Sequence, residues 1–273
     1  MGPELRRRYL HAMGVQVWRS RTPAIAAGAL MPQDLDSQPD LGIASDQDAC
    51  FEPDAGAPRL GLAAVETTAP GPRGAVAELD WDSLRAEVAA CRACGLCETR
   101  TQTVFGVGNR QADLMIIGEA PGVDEDRAGE PFVGRAGRLL NLMLAAIGLR
   151  RDQVYIANIL KCHPPGNRDP SPEEALRCEP FLLHQIELVR PRLVLSIGRI
   201  SAQNLLRTGT SVGRLRGQWF ELGSDKTPLA VTYHPAYLLR SPDQKGLVWQ
   251  DLQRVARKLR ELQNSPAGCG GGS

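Results

Sequence analysis

The sequence predicts an α/β/α domain in which a central, mostly parallel four-stranded sheet is covered by helices on both faces. Four short runs carry that expectation: ADLMIIG (112–118), VYIANIL (154–160), LVLSIG (193–198) and LAVTYH (229–234). Each is continuously apolar rather than alternating, as in strands buried on both sides. Stretches of helical periodicity separate them, which is the alternation of a parallel sheet. The runs also end in polar or glycine-bearing loops, and such sheets bind ligands beyond the carboxyl ends of their strands.

From the N-terminus, residues 1–80 are rich in Pro, Gly, Ala and Asp and carry 11 acidic against 7 basic side chains. That composition predicts a flexible arm. Within it, YLHAMGVQVWR (9–19) is a short amphipathic island that reads as a docking segment for a partner protein, as a piece that packs back onto the body, or as a stretch with no defined role. The stretch resembles the opening of a bacterial clamp-loader accessory subunit, which implies a replication or repair protein as the arm's partner. Residues 81–264 carry 25 basic and 20 acidic side chains and hold most of the apolar runs. One domain of about 180 residues is large enough for a proper core. Residues 265–273 read as a flexible tail, with Cys269 a bystander in it.

WDSLRAEVAA (81–90) opens the domain as a helix, with Asp82 near its start. AGRLLNLMLAAIGL (136–149) has helical periodicity. SPEEALRCEPFLLHQIELV (171–189) begins with Ser171, Pro172, Glu173 and Glu174, a strong helix-start signal. RISAQNLLR (199–207) follows the third strand, and LVWQDLQRVARKLRELQ (247–263) closes the domain.

The formal net charge is +1, so bulk charge does not announce a nucleic-acid partner, although a modestly basic domain is compatible with one. No apolar run approaches a membrane span. The basic start lacks a long apolar core and a cleavage site, which argues against a secretory signal. Seven cysteines, an odd number in motif-like spacings, suit the reducing cytoplasm. A monomer is expected.

Three of those cysteines stand in CRACGLC (91–97); Cys162 follows a strand and Cys178 sits inside the next helix. Cys91, Cys94, Cys162 and Cys178 form a set of four thiolates, which suits zinc or an iron–sulfur cluster. Cys97 is a competing ligand that spacing does not exclude.

GEAPGVDEDRAGEPFVGRAG (118–137) packs glycines, prolines and acids after a strand. Gly118 and Gly122 permit tight turns and close ligand approach. The spacing is not that of a dinucleotide loop and no P-loop lysine follows, so nucleotide-cofactor readings fall. Glu119, at a strand end, can orient water or a polar substrate, or cap backbone amides. Phe132, in a glycine-flanked loop, can offer its ring face to a base. Asn158 ends a strand, and its amide both donates and accepts, as reading a pyrimidine edge requires. His234 ends another strand before Pro235, where a neutral imidazole can donate to an oxygen gaining charge. Leu238 and Leu239 beside Arg240 suit a wedge into a base stack with the arginine on phosphate. Arg168, in GNRDP, can touch the DNA backbone. His163 and His184 lack comparable support, and His184 reads as structural.

Taken together, CxxCxL (91–96), GEAPGxxED (118–126), GxPFVGRAGxLL (129–140), NILKCxPPGNRxPxPEE (158–174) and HPAYLLR (234–240) resemble the family 4 uracil-DNA glycosylases. These are the iron–sulfur-containing branch of their superfamily, and the resemblance covers roughly residues 84–262. It implies the glycosylase fold and a [4Fe–4S] cluster on Cys91, Cys94, Cys162 and Cys178, with Cys97 to spare. It implies release of uracil from single- or double-stranded DNA, leaving an abasic site in base excision repair without a lyase step. Phe132 would then stack on the flipped-out uracil, Asn158 would bond its edge, and Gly118 would belong to the same substrate-binding set. Glu119 would arrange the water near the sugar, and His234 would stabilise uracil O2. The leucine stretch would fill the gap in the duplex.

Two related branches differ. One usually has a leucine-like residue in place of Glu119. The other traps itself covalently, with GEQPG and a histidine in an inserted basic loop, whereas residue 120 here is Ala and SVGRLRG (211–217) holds no histidine. Turnover is therefore expected. The rival from another class is a non-catalytic iron–sulfur protein that binds DNA or senses redox state; a zinc-stabilised binding module is a third reading.

Overall fold

The computed structural model describes residues 3–12, 14 and 76–264. Among these, six strands form one sheet: β1 (Val107–Gly108), β2 (Leu114–Gly118), β3 (Tyr155–Asn158), β4 (Leu193–Ile197), β5 (Trp219–Leu222) and β6 (Thr227–Thr232). Their order is β1-β3-β2-β4-β6-β5. The four inner strands pair in parallel, while β1 and β5 run antiparallel at the two edges. The expected four-stranded sheet is thus corrected to a mixed sheet of six. Strand β1 is two residues long, too short to show a period. Strand β5 alternates exposed and half-buried residues, as an edge strand with one solvated face does, and a turn over residues 223–226 returns it to β6.

Helices α1 (Pro3–Ala12), α2 (Trp81–Ala90), α3 (Val123–Ala128), α4 (Arg135–Ala146) and α5 (Pro172–Val189) are followed by α6 (Arg199–Leu206), α7 (Val212–Leu215), α8 (Pro235–Arg240) and α9 (Lys245–Asn264). The period of two in β2 sorts them into layers. Leu114 and Ile116 share a core with Leu140 and Met143 of α4 and with Leu252 and Val255 of α9. Met115 and Ile117 face the other way, onto Ala175 and Leu182 of α5 and Ala202 of α6. None of the four β2 side chains is more than 1% exposed, and burying each is worth about 1.5–3 kcal/mol. Both faces being covered explains why the run is apolar throughout.

Local signals set the helix starts. Asp82 stands in the first turn of α2 as expected, and Asp80 before it is the cap: its Oδ1 accepts from the Ser83 amide at 2.8 Å. At α5 the Glu174 amide donates to Ser171 Oγ at 3.2 Å, and the Ser171 amide donates back to Glu174 Oε2 at 2.8 Å. A third core of Val76, Leu84, Val88, Phe105 and Phe181 fixes α2 on α5, so ordered packing begins ahead of Trp81. Helix α1 packs against α4, with Leu10 in that core. Of the stretch 9–19, only residues 9–12 and 14 are described, so the docking expectation lies mostly outside the described residues. Residues 15–75 of the predicted arm and the tail 265–273 lie outside them altogether. No helix among the described residues is long and apolar enough to cross a membrane.

Candidate active site

The carboxyl ends of the parallel strands open onto a cavity of about 930 Å³. Glu119, Phe132, Asn158, Arg199, His234 and Arg240 are among the residues that line it. Strand register sets the first contact, because Gly118 of β2 lies opposite Asn158 of β3. A Cβ at Gly118 would stand 2.5 Å from Asn158 Oδ1 and 2.7 Å from Phe132 Cζ. Glycine there is what allows an amide edge and an aromatic ring to border the same space.

Asn158 is 1% exposed, and its Oδ1 finds no hydrogen-bond partner among the described residues. An unsatisfied buried acceptor costs about 1–3 kcal/mol, so this atom is set up for a donor from outside.

Phe132 has φ +56°, a left-handed conformation that a bulky residue adopts only when its surroundings hold it there. Arg151 donates to the Pro131 and Phe132 carbonyls. Glu125 Oε1 accepts from the Val133 and Gly134 amides at 3.1 and 3.2 Å, while its Oε2 accepts from Gly122 at 3.1 Å. Glu125 therefore ties the GEAPG loop to the PFVG loop. Gly137 lies against the Phe132 carbonyl with no room for a Cβ. The adjacent Asp126 accepts from the Thr101 amide and anchors the segment leading from the cysteine motif.

The His234 ring lies 5.5 Å from that of Phe132. His234 caps α8, its Nδ1 accepting from the Ala236 amide at 3.1 Å. An Nδ1 that accepts carries no proton, so the proton of the neutral ring sits on Nε2. Burial, helped by the charge of Arg240, pushes its pKa down from 6.5 to about 4 and keeps it neutral. Beneath it, Thr232 at the end of β6 donates to Asp251 at 2.7 Å, and Arg216 grips the same carboxylate with two bonds of 3.0 Å. Glu119 goes the other way: burial and the neighbouring Asp169 raise it to about 7, against the opposing pull of Arg199.

On the predicted DNA face, the structure divides the residues. Arg168 makes a two-pronged ion pair with Glu174 at 2.6 and 2.8 Å, holding that carboxyl down at about 2. Its guanidinium closes a loop first and is only half-exposed. Leu238 is corrected from wedge to core, being 1% exposed in the α4 layer, because HPAYLLR is helical and adjacent residues diverge by about 100°. Leu239 is 39% exposed, with Arg240 beside it.

Cys91, Cys94, Cys97, Cys162 and Cys178 all line one small second cavity, together with Arg100 and Lys161. Three segments bring them there: the end of α2 with its following turn, the loop after β3, and α5. Arg100 donates to Cys162 Sγ at 3.1 Å and to the Cys91 carbonyl at 2.8 Å, and the Lys161 amide donates to Cys178 Sγ at 3.2 Å. Burial pushes the Cys178 thiol up to about 12 and raises Cys94 and Cys162 as well. Thiolates there need a compensating cation. Soft donors converging with N–H···S bonds already in place are chemistry that fits an iron–sulfur cluster. Among the described residues, no group of three or more His, Cys, Asp or Glu side chains forms a site for a single metal ion. Cys97 shares the cavity with the other four.

The sequence reading passed over Glu125, Asp126, Arg151, Lys161 and Gln185. The acid pair in GEAPGxxED was the available signal for the first two, since buried loop amides need acceptors; nothing local marked the others. His184 is structural as expected, bonded at 2.7 Å to the Leu79 carbonyl.

Residues 105–253 match the family model of the uracil DNA glycosylase superfamily, and the chain belongs to that superfamily. Its homology within it is to the type-4 uracil-DNA glycosylases. That of Archaeoglobus fulgidus is 43% identical over 188 residues, covering 67% of this chain and 94% of the relative. That of Thermotoga maritima is 42% identical over 179 residues, 64% of this chain and 92% of the relative. A type-5 uracil-DNA glycosylase of Pyrobaculum aerophilum is 33% identical over 179 residues, 59% and 75% of the two chains. This homology classifies the chain with the hydrolases of the uracil-DNA glycosylase family.

Proposed function

We propose that this chain is a monofunctional glycosylase that removes uracil from single- or double-stranded DNA and leaves an abasic site for base excision repair. The observation that carries the reading is the unpaired, buried Oδ1 of Asn158 beside the Phe132 ring. Uracil N3–H donates to that oxygen while the amide nitrogen donates to O4. Cytosine presents an acceptor at N3 and a donor at position 4, so both contacts fail. A site built around such bonds rejects the mismatched base by about 10⁴-fold or more.

Phe132 stacks on the extruded base. As the C1′–N1 bond breaks, its electron pair passes to the base and negative charge builds on O2, where Nε2–H of neutral His234 donates. Water, oriented by Glu119, then adds to the oxocarbenium-like sugar, and the proton it loses ends on the departing base, which leaves as neutral uracil. No lysine lines the cavity among the described residues, in keeping with hydrolysis rather than Schiff-base chemistry. Leu239 fills the duplex gap and Arg240 meets phosphate.

Cys91, Cys94, Cys162 and Cys178 would hold a [4Fe–4S] cluster, with Cys97 spare. Through these ligands the CRACGLC segment would be tied to the loop after Asn158, and bond-making would rest with the side chains of the larger cavity.

The test compares wild type with Asn158→Ala on oligonucleotides containing one deoxyuridine, with deoxycytidine as control. Wild type releases uracil and not cytosine, and the variant is at least about tenfold slower. Undiminished release by a folded Asn158→Ala protein would remove the basis of the reading.

A further inference from the structure

Lys161 is 1% exposed, and no carboxylate among the described residues pairs with it. Burying an ammonium group is costly, and its bonds show what it does in exchange. Nζ donates to the Asn158 carbonyl at 2.9 Å and to Gln185 Oε1 at 2.6 Å. Gln185, 0% exposed, turns its amide nitrogen to the Phe105 carbonyl at 3.0 Å and the Tyr155 hydroxyl at 3.1 Å.

The place of this network in the sheet is specific. The β1–β3 ladder pairs Val107 with Ile156, and carrying that register two residues further sets Phe105 opposite Asn158. The described strand β1 stops at Val107, so this last pair lacks ladder bonds. Two backbone carbonyls would be left in the interior, and Lys161 and Gln185 satisfy one each while bonding to one another. On the β1 side, where pairing has run out, the Asn158 carbonyl is thus held by a side chain, while on the β2 side the ladder continues, Ile159 donating to the Gly118 carbonyl at 3.0 Å. The Lys161 amide meanwhile donates to Cys178 Sγ, so one residue joins the cysteine cavity to Asn158.

We propose that Lys161, braced by Gln185, is the positioning residue that fixes the base-reading Asn158 at the end of β3. The inference rests on the reading of Asn158 as the uracil-recognition residue. Lys161 does not line the larger cavity, so it acts through Asn158.

The experiment uses the full chain and its Lys161→Met and Gln185→Leu variants, with free uracil as a product inhibitor and abasic-site DNA as a second ligand. Misplacing a reading group by about 1 Å costs on the order of 10²-fold. Uracil release by Lys161→Met should therefore fall 10- to 100-fold, inhibition by free uracil should weaken at least tenfold, and abasic DNA should bind as in wild type. Gln185→Leu should weaken uracil inhibition likewise, and the double variant should be no worse than the poorer single one, as for residues acting through one network. A purely structural role would lower the unfolding midpoint and leave inhibition by uracil unchanged in the folded fraction, and that result overturns the proposal. So does failure of both single variants to fold. If wild type itself releases no uracil, the reading of Asn158 fails instead, which separates the two outcomes.

Discussion

Replacing Gly118 with alanine adds one methyl group where the geometry leaves no room for it. The new Cβ would lie 2.5 Å from Asn158 Oδ1, 2.7 Å from Phe132 Cζ and 2.9 Å from Phe132 Cε2. Ordinary carbon contacts begin near 3.4 Å, so the amide and the ring must each retreat by roughly 0.5–1 Å. Both face an open cavity, which gives them somewhere to go. The fold should therefore survive with an overpacking cost of about 1–3 kcal/mol, while the base pocket loses its spacing. A displacement near 1 Å costs about 10²-fold in rate. Single-turnover uracil release from a single-stranded oligonucleotide should fall by about that factor, with the thermal midpoint down by about 2–4 °C per kcal/mol. A folded Gly118→Ala protein within twofold of the wild-type rate would refute the placement of Asn158 and Phe132 around the base.

Three other outcomes follow from the same geometry. His234→Ala should lower kcat by about 10²–10³-fold, the loss expected for one donor to a developing oxyanion. His234 titrates at about 4 in the folded chain against 6.5 ordinarily, so below 6.5 the unfolded chain takes up a proton that the folded chain refuses. Its contribution to stability is intact above 6.5 and lost as pH falls toward 4; midpoints measured across that range should decline less in His234→Ala. Glu119 has the opposite sign. Its folded pKa of about 7 lies above the ordinary 4.5, so ionisation penalises the folded chain increasingly from 4.5 to 7. Glu119→Gln should raise the midpoint at pH 8, with the gain vanishing by pH 4.5, while uracil release slows at both. Finally, Cys162→Ser should abolish the visible absorbance and iron content of anaerobically purified protein and reduce its soluble yield. Cys97→Ser should leave all three near wild type.

Much of the framework could be read from residue order because both faces of the inner strands are buried. Continuous runs such as LMIIG and LVLSI announce themselves, and Ser171 with Glu174 marks a helix start by chemistry that needs no tertiary context. The edge strands escaped for physical reasons: Val107–Gly108 is too short to have a period, and Trp219–Leu222 pairs on one side only. At the site, Gly118, Phe132, Asn158 and His234 were legible because each stands at a strand end or in a glycine-rich loop. Leu238 was misjudged because LLR does not reveal which leucine a short helix turns inward. Arg151, Lys161 and Gln185 act through contacts between separate segments of the chain, and no local pattern encodes those. The cysteines illustrate both sides: spacing grouped Cys91, Cys94, Cys162 and Cys178, whereas their sharing a cavity with Cys97 and the N–H···S bonds from Arg100 and Lys161 required the fold.

The most direct test of the central claim is to incubate the purified chain with single- and double-stranded oligonucleotides bearing one deoxyuridine and to measure free uracil and strand integrity together. Uracil should appear in a one-to-one ratio with an alkali-labile abasic site, with no strand cleavage before alkali is added. Folded protein that releases no uracil from either substrate, or that nicks the strand without alkali, would contradict the account.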